Sequence, residues 1–325
     1  MRVLITGGSG FIGTNVCQHL QQVGVPTMSL DRARPRHPAH NAIWKQIDIR
    51  EATPLRDALL SFAPDVMLHL GARTDLDGKT LADYGANTQG VENIVDAALA
   101  CTSVRRVVFA SSRLVCRIGH VPAGETDYCP TTPYGESKVA GEKIVRARAA
   151  QAPWEWVQVR PTSIWGPWFG VPYKLFFDAV ARGRYVHPRG VNILKSFGFV
   201  GNTVHQLMAL IDAPAAQIDR KTIYLADYPP IQVGRMAELI RAEVGIARGR
   251  EVPMAALKLL ASVGDLGKAL GWKQPPLTSF RLANLVTPMV YDLAPLQAIA
   301  GPLPYDMAAG VKQTVAWMRA HGELT

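Results

Sequence analysis

A chain of 325 residues with 48% hydrophobic and 19% charged residues has enough apolar material for a sizeable core and too little charge for a disordered polymer. Its net charge of +9 draws anions, but the cations are scattered. Short clusters such as Arg32, Arg34 and Arg36 lack the aromatic interleaving of a nucleic-acid face, so no nucleic-acid partner is expected. No run reaches the ~18 apolar residues of a membrane span, and the first residues do not have the pattern of a secretory leader. Cys17, Cys101, Cys116 and Cys129 have neither CxxC nor His-rich spacing, which signals no metal and no disulfide framework. The expectation is a cytoplasmic protein with reduced thiols and no membrane partner.

In chain order, short β-branched runs alternate with segments of helical period. Strands are predicted at Arg2 to Thr6, Thr27 to Asp31, Val66 to Leu70, Arg106 to Ser111 and Glu155 to Arg160, with helices starting near Phe11, Thr53, Thr88 and Tyr134. The strands lack alternation, so both of their faces should be buried. This is the pattern of an α/β fold with a doubly wound parallel sheet of Rossmann type. After Arg160 the texture turns irregular and aromatic. A strand at Thr222 to Ala226 should rejoin the sheet, and helices at Gly234 to Val244 and Pro253 to Leu270 should build a smaller mixed C-terminal lobe. The division expected is residues 1–168, with a returning segment around 198–228, for the nucleotide domain, and 169–197 with 229–325 for the substrate lobe. The amphipathic stretch from Ala255 to Leu270 is read as core-facing.

The first βα turn reads Thr6-Gly7-Gly8-Ser9-Gly10-Phe11-Ile12-Gly13. Gly7 would permit the tight turn, Gly10 the approach of a pyrophosphate, and Gly13 close helix-to-strand packing, with the anion at the helix N-terminus. The second strand ends in Asp31, which can bond ribose hydroxyls and would repel a 2′-phosphate. That favours NAD, although Arg32 and Arg34 beside it are either exposed loop residues or phosphate binders. NAD(H) should therefore support activity better than NADP(H).

This glycine spacing, followed by Asp48-Ile49, His69-Leu70-Gly71-Ala72 and Asn87, resembles the extended short-chain dehydrogenase/reductase superfamily. The NAD-dependent epimerase/dehydratase family, in its sugar-nucleotide branch, is most similar. The likeness implies that Asp48 and Ile49 sit at the adenine, Leu70, Gly71 and Ala72 beneath the cofactor, and Asn87 near the central strands. Taken singly, Asp48 reads as a helix cap, His69 as a satisfied core histidine and Asn87 as a turn residue.

Tyr134 and Lys138 are four residues apart, on one helix face. A phenol is a poor base at neutral pH, and a nearby ammonium would favour its ionised form. Tyr134 could then exchange a proton with a substrate oxygen during hydride transfer. In the pattern it resembles, a hydroxyl at Ser112, after the strand Arg106 to Ser111, bonds the same oxygen. Ser112, Tyr134 and Lys138 are the expected catalytic set.

Sugar-nucleotide dehydratases of the family carry an Asp-Glu pair after that hydroxyl, whereas this chain has Arg113-Leu114, which disfavours dehydration. By the same resemblance Pro161 and Thr162 line the cofactor. Ser163 falls where many sugar-nucleotide enzymes carry Asn, and Asn202 falls where an acid is usual. Arg113, Ser163, Lys174, Lys195 and Arg281 are the candidate substrate contacts; by the resemblance Lys195 meets a phosphate, and Lys174, Arg189 and Arg281 pair with a diphosphate or else serve as surface charge. Trp165, Trp168, Phe169 and Tyr173 would stack on a ring or pack as core. The function implied is redox chemistry at a sugar carbon of a nucleotide sugar, with 4-epimerisation ahead of 4-keto reduction, in a homodimer. The alternatives are a dehydrogenase of a sterol-like or flavonoid-like ketone and a non-catalytic NAD-sensing protein.

Overall fold

The structure is a computed structural model and describes residues 1–171, 173–272 and 277–324. Seven parallel strands form the central sheet: β1 (Val3–Thr6), β2 (Thr27–Asp31), β3 (Trp44–Gln46), β4 (Val66–His69), β5 (Arg106–Ala110), β6 (Glu155–Pro161) and β7 (Lys221–Leu225). Their order is β7-β6-β5-β4-β1-β2-β3, and Val3 pairs with Thr27 on one side and Val66 on the other. Chain direction across the sheet reverses between β1 and β4, the switch point where α/β sheets open a crevice at the strand ends. The fold is the doubly wound Rossmann type. All four residues of β1 and of β4 are buried, as their unbroken apolar runs require. Strand β3 is absent from the sequence reading, because Trp44-Lys45-Gln46 is short and partly polar. It exists by pairing with Ser29, Leu30 and Asp31.

Helices cover both faces. On one, α1 (Phe11–Gln22) and α6 (Val200–Asp212) bury Val16, Leu20, Leu207 and Leu210 against β1 and β4. On the other, α2 (Ala52–Phe62), α3 (Gln89–Ala100) and α4 (Pro133–Arg148) bury Leu55, Leu59, Ile94, Val95 and Val145. A separate core in the second lobe gathers Trp165, Phe177, Phe199, Met236 and Val311 from α5 (Tyr173–Ala181), α7 (Val233–Val244), α11 (Met307–Ala320) and the paired segments Ser163–Trp165 and Phe197–Phe199.

The two cores cross the expected 168/169 division. Ile164, Trp165 and Phe199 pack into the lobe core, while Leu293, Leu296 and Ala300, around α10 (Ala294–Ala300), pack into the sheet core.

Helix α8 (Met254–Ala269) departs from its core-facing reading. It buries Leu257, Ala261 and Gly264 but leaves Leu259, Leu260, Val263 and Leu266 more than half exposed, with Leu270 just beyond it. Apolar residues occur on two sides of this helix, and the small Leu257–Ala261–Leu282 cluster, shared with α9 (Ser279–Val286), covers only one of them. Among the described residues, no helix is long and apolar enough to cross a membrane.

Candidate active site at the C-terminal ends of the strands

The loop after β1 is shaped by its glycines. Gly7 has φ +76°, and a Cβ there would lie 2.6 Å from the Gly71 nitrogen. At Gly13 a Cβ would stand 2.1 Å from the Gly7 oxygen, which no backbone can accommodate without moving. Gly10 is more open, its nearest atom being the Gly7 oxygen at 3.1 Å. The three glycines thus perform different tasks: turning, exposing a cradle of backbone N–H groups, and letting α1 touch the loop. Phe11 and Ile12 open α1 and pack partly against the lobe core.

Asp31 spans the base of this loop. Its carboxylate accepts from Ser9 N at 3.0 Å and Ala33 N at 2.9 Å, which anchors the acid beside the glycine turn. Arg32 and Arg34 are exposed. Arg36 bonds the Ser9 carbonyl at 3.1 Å and the Trp168 carbonyl at 2.6 Å, tying the loop to the lobe.

Asp48 is no helix cap. It accepts from Arg50 N at 2.9 Å and pairs with the Arg50 guanidinium at 2.6 Å, and these bonds hold its carboxyl below the usual range. Ile49 is buried against Gly90. After β4, Leu70 N donates to the Thr6 carbonyl, while the Thr6 hydroxyl meets Gly71 N at 3.2 Å and His69 Nδ1 at 2.7 Å. Ala72 follows on this turn. Burial drives His69 down to about 3, so it stays neutral, the satisfied core histidine.

Asn87 is 1% exposed and does more than close a turn. Its side chain accepts from Arg73 N at 2.8 Å and donates to the Arg73 carbonyl and the Ser137 hydroxyl, each at 2.9 Å. Since Ser137 lies on α4, Asn87 fixes the loop after β4 to the helix carrying Tyr134 and Lys138.

Ser112 caps the short turn Arg113–Val115 by accepting from Leu114 N at 3.1 Å, and its hydroxyl also engages the Tyr134 phenol. Thr132 and Pro133 start α4: the Thr132 hydroxyl accepts from Gly135 N at 3.0 Å, and Pro133 occupies the first turn. Tyr134 therefore sits one residue inside the helix, buried beside Tyr84 with ring centroids 6.0 Å apart. Burial pushes its phenol up to about 12, opposed by the Ser112 hydroxyl.

Lys138 donates to the Ala110 carbonyl at 3.0 Å, and burial lowers its ammonium to about 8 against the attraction of Glu142. It is not among the leading influences on Tyr134. The shared helix face brings the two side chains to one region, but Lys138 bends toward the end of β5. In this state the phenol is a proton donor at neutral pH, not a base.

A buried network beneath the site has no local signal in the sequence. Glu142, on α4, pairs with Arg160, on β6, through bonds of 2.9 and 2.8 Å, with both side chains 1% exposed. Ser111 at 2.5 Å and Tyr128 at 2.9 Å complete the donors to the Glu142 carboxylate. The network joins the ends of β5 and β6 to the helix of Tyr134.

The candidate substrate contacts separate. Arg113 is buried next to Ser112, and its charge acts on Tyr134 and Tyr291. Ser163 is buried on the strand paired with Phe197–Phe199, and Thr162 bonds the Leu225 carbonyl at 3.0 Å, just after Pro161. Lys195 donates to the Asn284 carbonyl at 2.8 Å and to the Thr287 carbonyl, at the C-terminal end of α9, where a cation is favoured. Lys174 is paired with Asp178 at 3.0 Å and Glu323 at 3.5 Å. Arg281 is exposed on α9. Neither lysine is turned toward a diphosphate. Asn202, within α6, bonds the buried Asp227 at 3.0 Å and the Tyr305 backbone, so it is a joint between segments. Trp165 and Phe169 are core.

Loop closure also gathers Cys116, His120 and Cys129, whose donor atoms lie within 4.8 Å of one another. The intervening sequence spacing hides this grouping.

A Rossmann sheet with a glycine cradle at its switch point and a Ser-Tyr-Lys group beside it defines a dinucleotide-dependent enzyme of hydride chemistry. The chain belongs to the NAD dependent epimerase/dehydratase family, whose profile matches residues 3–221, and its cofactor is NAD. It is 28% identical over 268 residues to a 3-beta-hydroxysteroid dehydrogenase of Mycolicibacterium neoaurum, covering 78% of this chain and 71% of that protein. It is 26% identical to a 2-alkyl-3-oxoalkanoate reductase of Stenotrophomonas maltophilia, covering 94% and 95%. In fold it is similar to the UDP-glucose 4-epimerase of Thermotoga maritima, solved with UDP-glucose, with a TM-score of 0.75, 18% identity and coverage of 99% and 100%.

Proposed function

We propose that the chain is an NAD-dependent oxidoreductase acting at C4 of a nucleotide sugar, with epimerisation ahead of net 4-keto reduction. The observation that carries this reading is the Ser112 hydroxyl meeting the Tyr134 phenol at the strand ends, with Arg113-Leu114 directly after it. Residues Gly7, Gly10 and Gly13 would cradle the pyrophosphate, Asp31 the adenosine ribose and Asp48 with Ile49 the adenine. Gly10, where an added Cβ would already lie 3.1 Å from the Gly7 oxygen, keeps the loop bare for the approach of such a group. When bound, NAD supplies the site that takes up or gives the hydride.

Tyr134 as the neutral phenol delivers the proton to the substrate oxygen on reduction and, only once ionised, takes it up on oxidation, while Ser112 orients that oxygen. Lys138 anchors the end of β5 and sets the local field, while Asn87 holds α4 in register. No acid or base follows Ser112, so water elimination lacks its proton carriers. A homodimer is part of the same proposal.

A second reading, a dehydrogenase of a non-nucleotide alcohol, is favoured by the engagement of Lys174 and Lys195 within the protein and by the steroid and alkanoate enzymes among the relatives. Native mass spectrometry of the purified protein, then a thermal-shift screen of UDP-, GDP-, CDP- and dTDP-sugars, separates the two. Co-purifying NAD and a sugar-nucleotide shift are expected, and no shift from any sugar nucleotide would transfer the conclusion to the second reading.

A further inference from the structure

Between Ser112 and Tyr134 the chain from Arg117 to Tyr128 forms only turns, with no helix or strand, close to the length at which irregular loops become uncommon in compact domains. Its two ends meet at Cys116 and Cys129. These residues face each other in a parallel bridge, in which Cys129 N donates to the Val115 carbonyl at 3.0 Å and Arg117 N to the Cys129 carbonyl at 2.9 Å. Gly119, with φ +82°, folds the loop back through a turn in which His120 N donates to the Arg117 carbonyl at 3.2 Å. Together the bridge and the turn bring two thiols and an imidazole within 4.8 Å of one another. Among the described residues, no other three histidine, cysteine or acidic donors gather in this way.

The chemistry of the donors selects their ligand. Two sulfurs and an imidazole suit a thiophilic divalent cation, whereas magnesium and calcium take oxygen. With bonds of about 2.3 Å to sulfur and 2.0 Å to nitrogen, the donors of a tetrahedral zinc site stand about 3.4–3.8 Å apart, so each side chain here closes on the ion by about half an ångström. Cys116 is 1% exposed, while His120 and Cys129 are half-buried and leave the ion a path from solvent. Behind the donors, the Asp127 carboxylate lies 2.9 Å from His120 Nε2 and accepts from Ala123 N at 2.8 Å. A carboxylate that fixes the ring is the outer partner metal-bound histidines use. A disulfide would employ the two sulfurs alone and give the imidazole no part.

We propose that Cys116, His120 and Cys129 bind a zinc ion that clips the loop between Ser112 and Tyr134, with solvent at the fourth position. The ion enters as each thiol gives up its proton, so the filled set of two thiolates, neutral imidazole and Zn2+ carries no net charge. Its work is structural. Cys116 follows the turn that Ser112 caps, and Cys129 lies just before Thr132, the cap of the helix carrying Tyr134. The clip therefore joins the supports of both hydroxyls, whatever the substrate.

The test uses untagged full-length protein, stripped with a chelator under reductant and titrated with zinc against a chromophoric chelator. One equivalent should bind with a dissociation constant below about 100 nM. Free zinc held about a thousandfold above that constant should raise the melting temperature by about 3–6 °C. Cobalt(II) in the same site should show a thiolate charge-transfer band. Cys129→Ser and His120→Gln should each weaken zinc binding by about a hundredfold or more and remove the thermal shift, and Asp127→Asn should weaken it by about tenfold. Both ligand variants replace half-buried side chains, so they remain informative if Cys116→Ser fails to fold.

Binding weaker than about 10 μM, a roughly hundredfold departure from the affinity expected of such a site, would overturn the inference. So would zinc held at wild-type strength by Cys129→Ser or His120→Gln, which places the ion elsewhere. A Cys116–Cys129 disulfide mapped in protein whose thiols were blocked at lysis would also overturn it, by showing that the two sulfurs serve each other.

Discussion

Replacing Arg160 with Met should expose how strongly the buried network supports the site. Glu142 and Arg160 are both 1% exposed, so the variant leaves a carboxylate in the interior with only the Ser111 and Tyr128 hydroxyls as side-chain donors. Breaking a buried pair from one side costs about 3–5 kcal/mol. For 325 residues, an unfolding entropy of about 2.1 cal/mol/K per residue converts this to a melting temperature lower by about 4–7 °C. Calorimetry on Arg160→Met, Glu142→Leu and the double variant is the assay. The double variant should regain more than half of the Arg160→Met loss, since it removes the stranded charge and substitutes apolar volume. A single variant within about 1 °C of wild type, or a double variant no better than Arg160→Met, would refute the reasoning.

Tyr134→Phe should retain the wild-type melting temperature within a few degrees and bind NAD normally, yet lose at least about a hundredfold in kcat, as removal of a proton carrier does. Retention of most activity would remove Tyr134 from its role. Gly13→Ala and Gly10→Ala should separate packing from cofactor approach: the first forces backbone to move and should lower stability even without NAD, while the second should mainly weaken NAD binding in fluorescence titration. Asp227, buried and raised to about 7, is protonated in the folded protein at pH values where the unfolded chain is ionised. Its contribution to stability is therefore complete below the unfolded value near 4 and disappears as pH rises through about 7. The melting temperature of the wild type relative to Asp227→Asn should rise as pH falls from 7.5 to 5, and an unchanged difference would contradict that burial effect.

The sequence by itself determined those features whose cause is local. Apolar runs at β1, β4 and β5 demanded two covered faces, and Gly7, Gly10 and Gly13 could hardly serve another turn. Tyr134 and Lys138, four apart, had to share a helix face. Each follows from periodicity or from the steric demands of one residue type. The tertiary structure decided everything that depends on partners distant in the chain. Arg160 finds Glu142 across the β6–α4 interface, Asn87 reaches Ser137, and Lys195 is claimed by the end of α9 although its sequence context suggested a phosphate. Chain closure likewise made Trp44–Gln46 a strand and left one side of α8 bare, because burial depends on what packs nearby and not on the helix's own pattern. Arg113 shows the difference most sharply. Its place after Ser112 was legible in the sequence, but only the fold reveals a guanidinium buried there with one nitrogen unbonded.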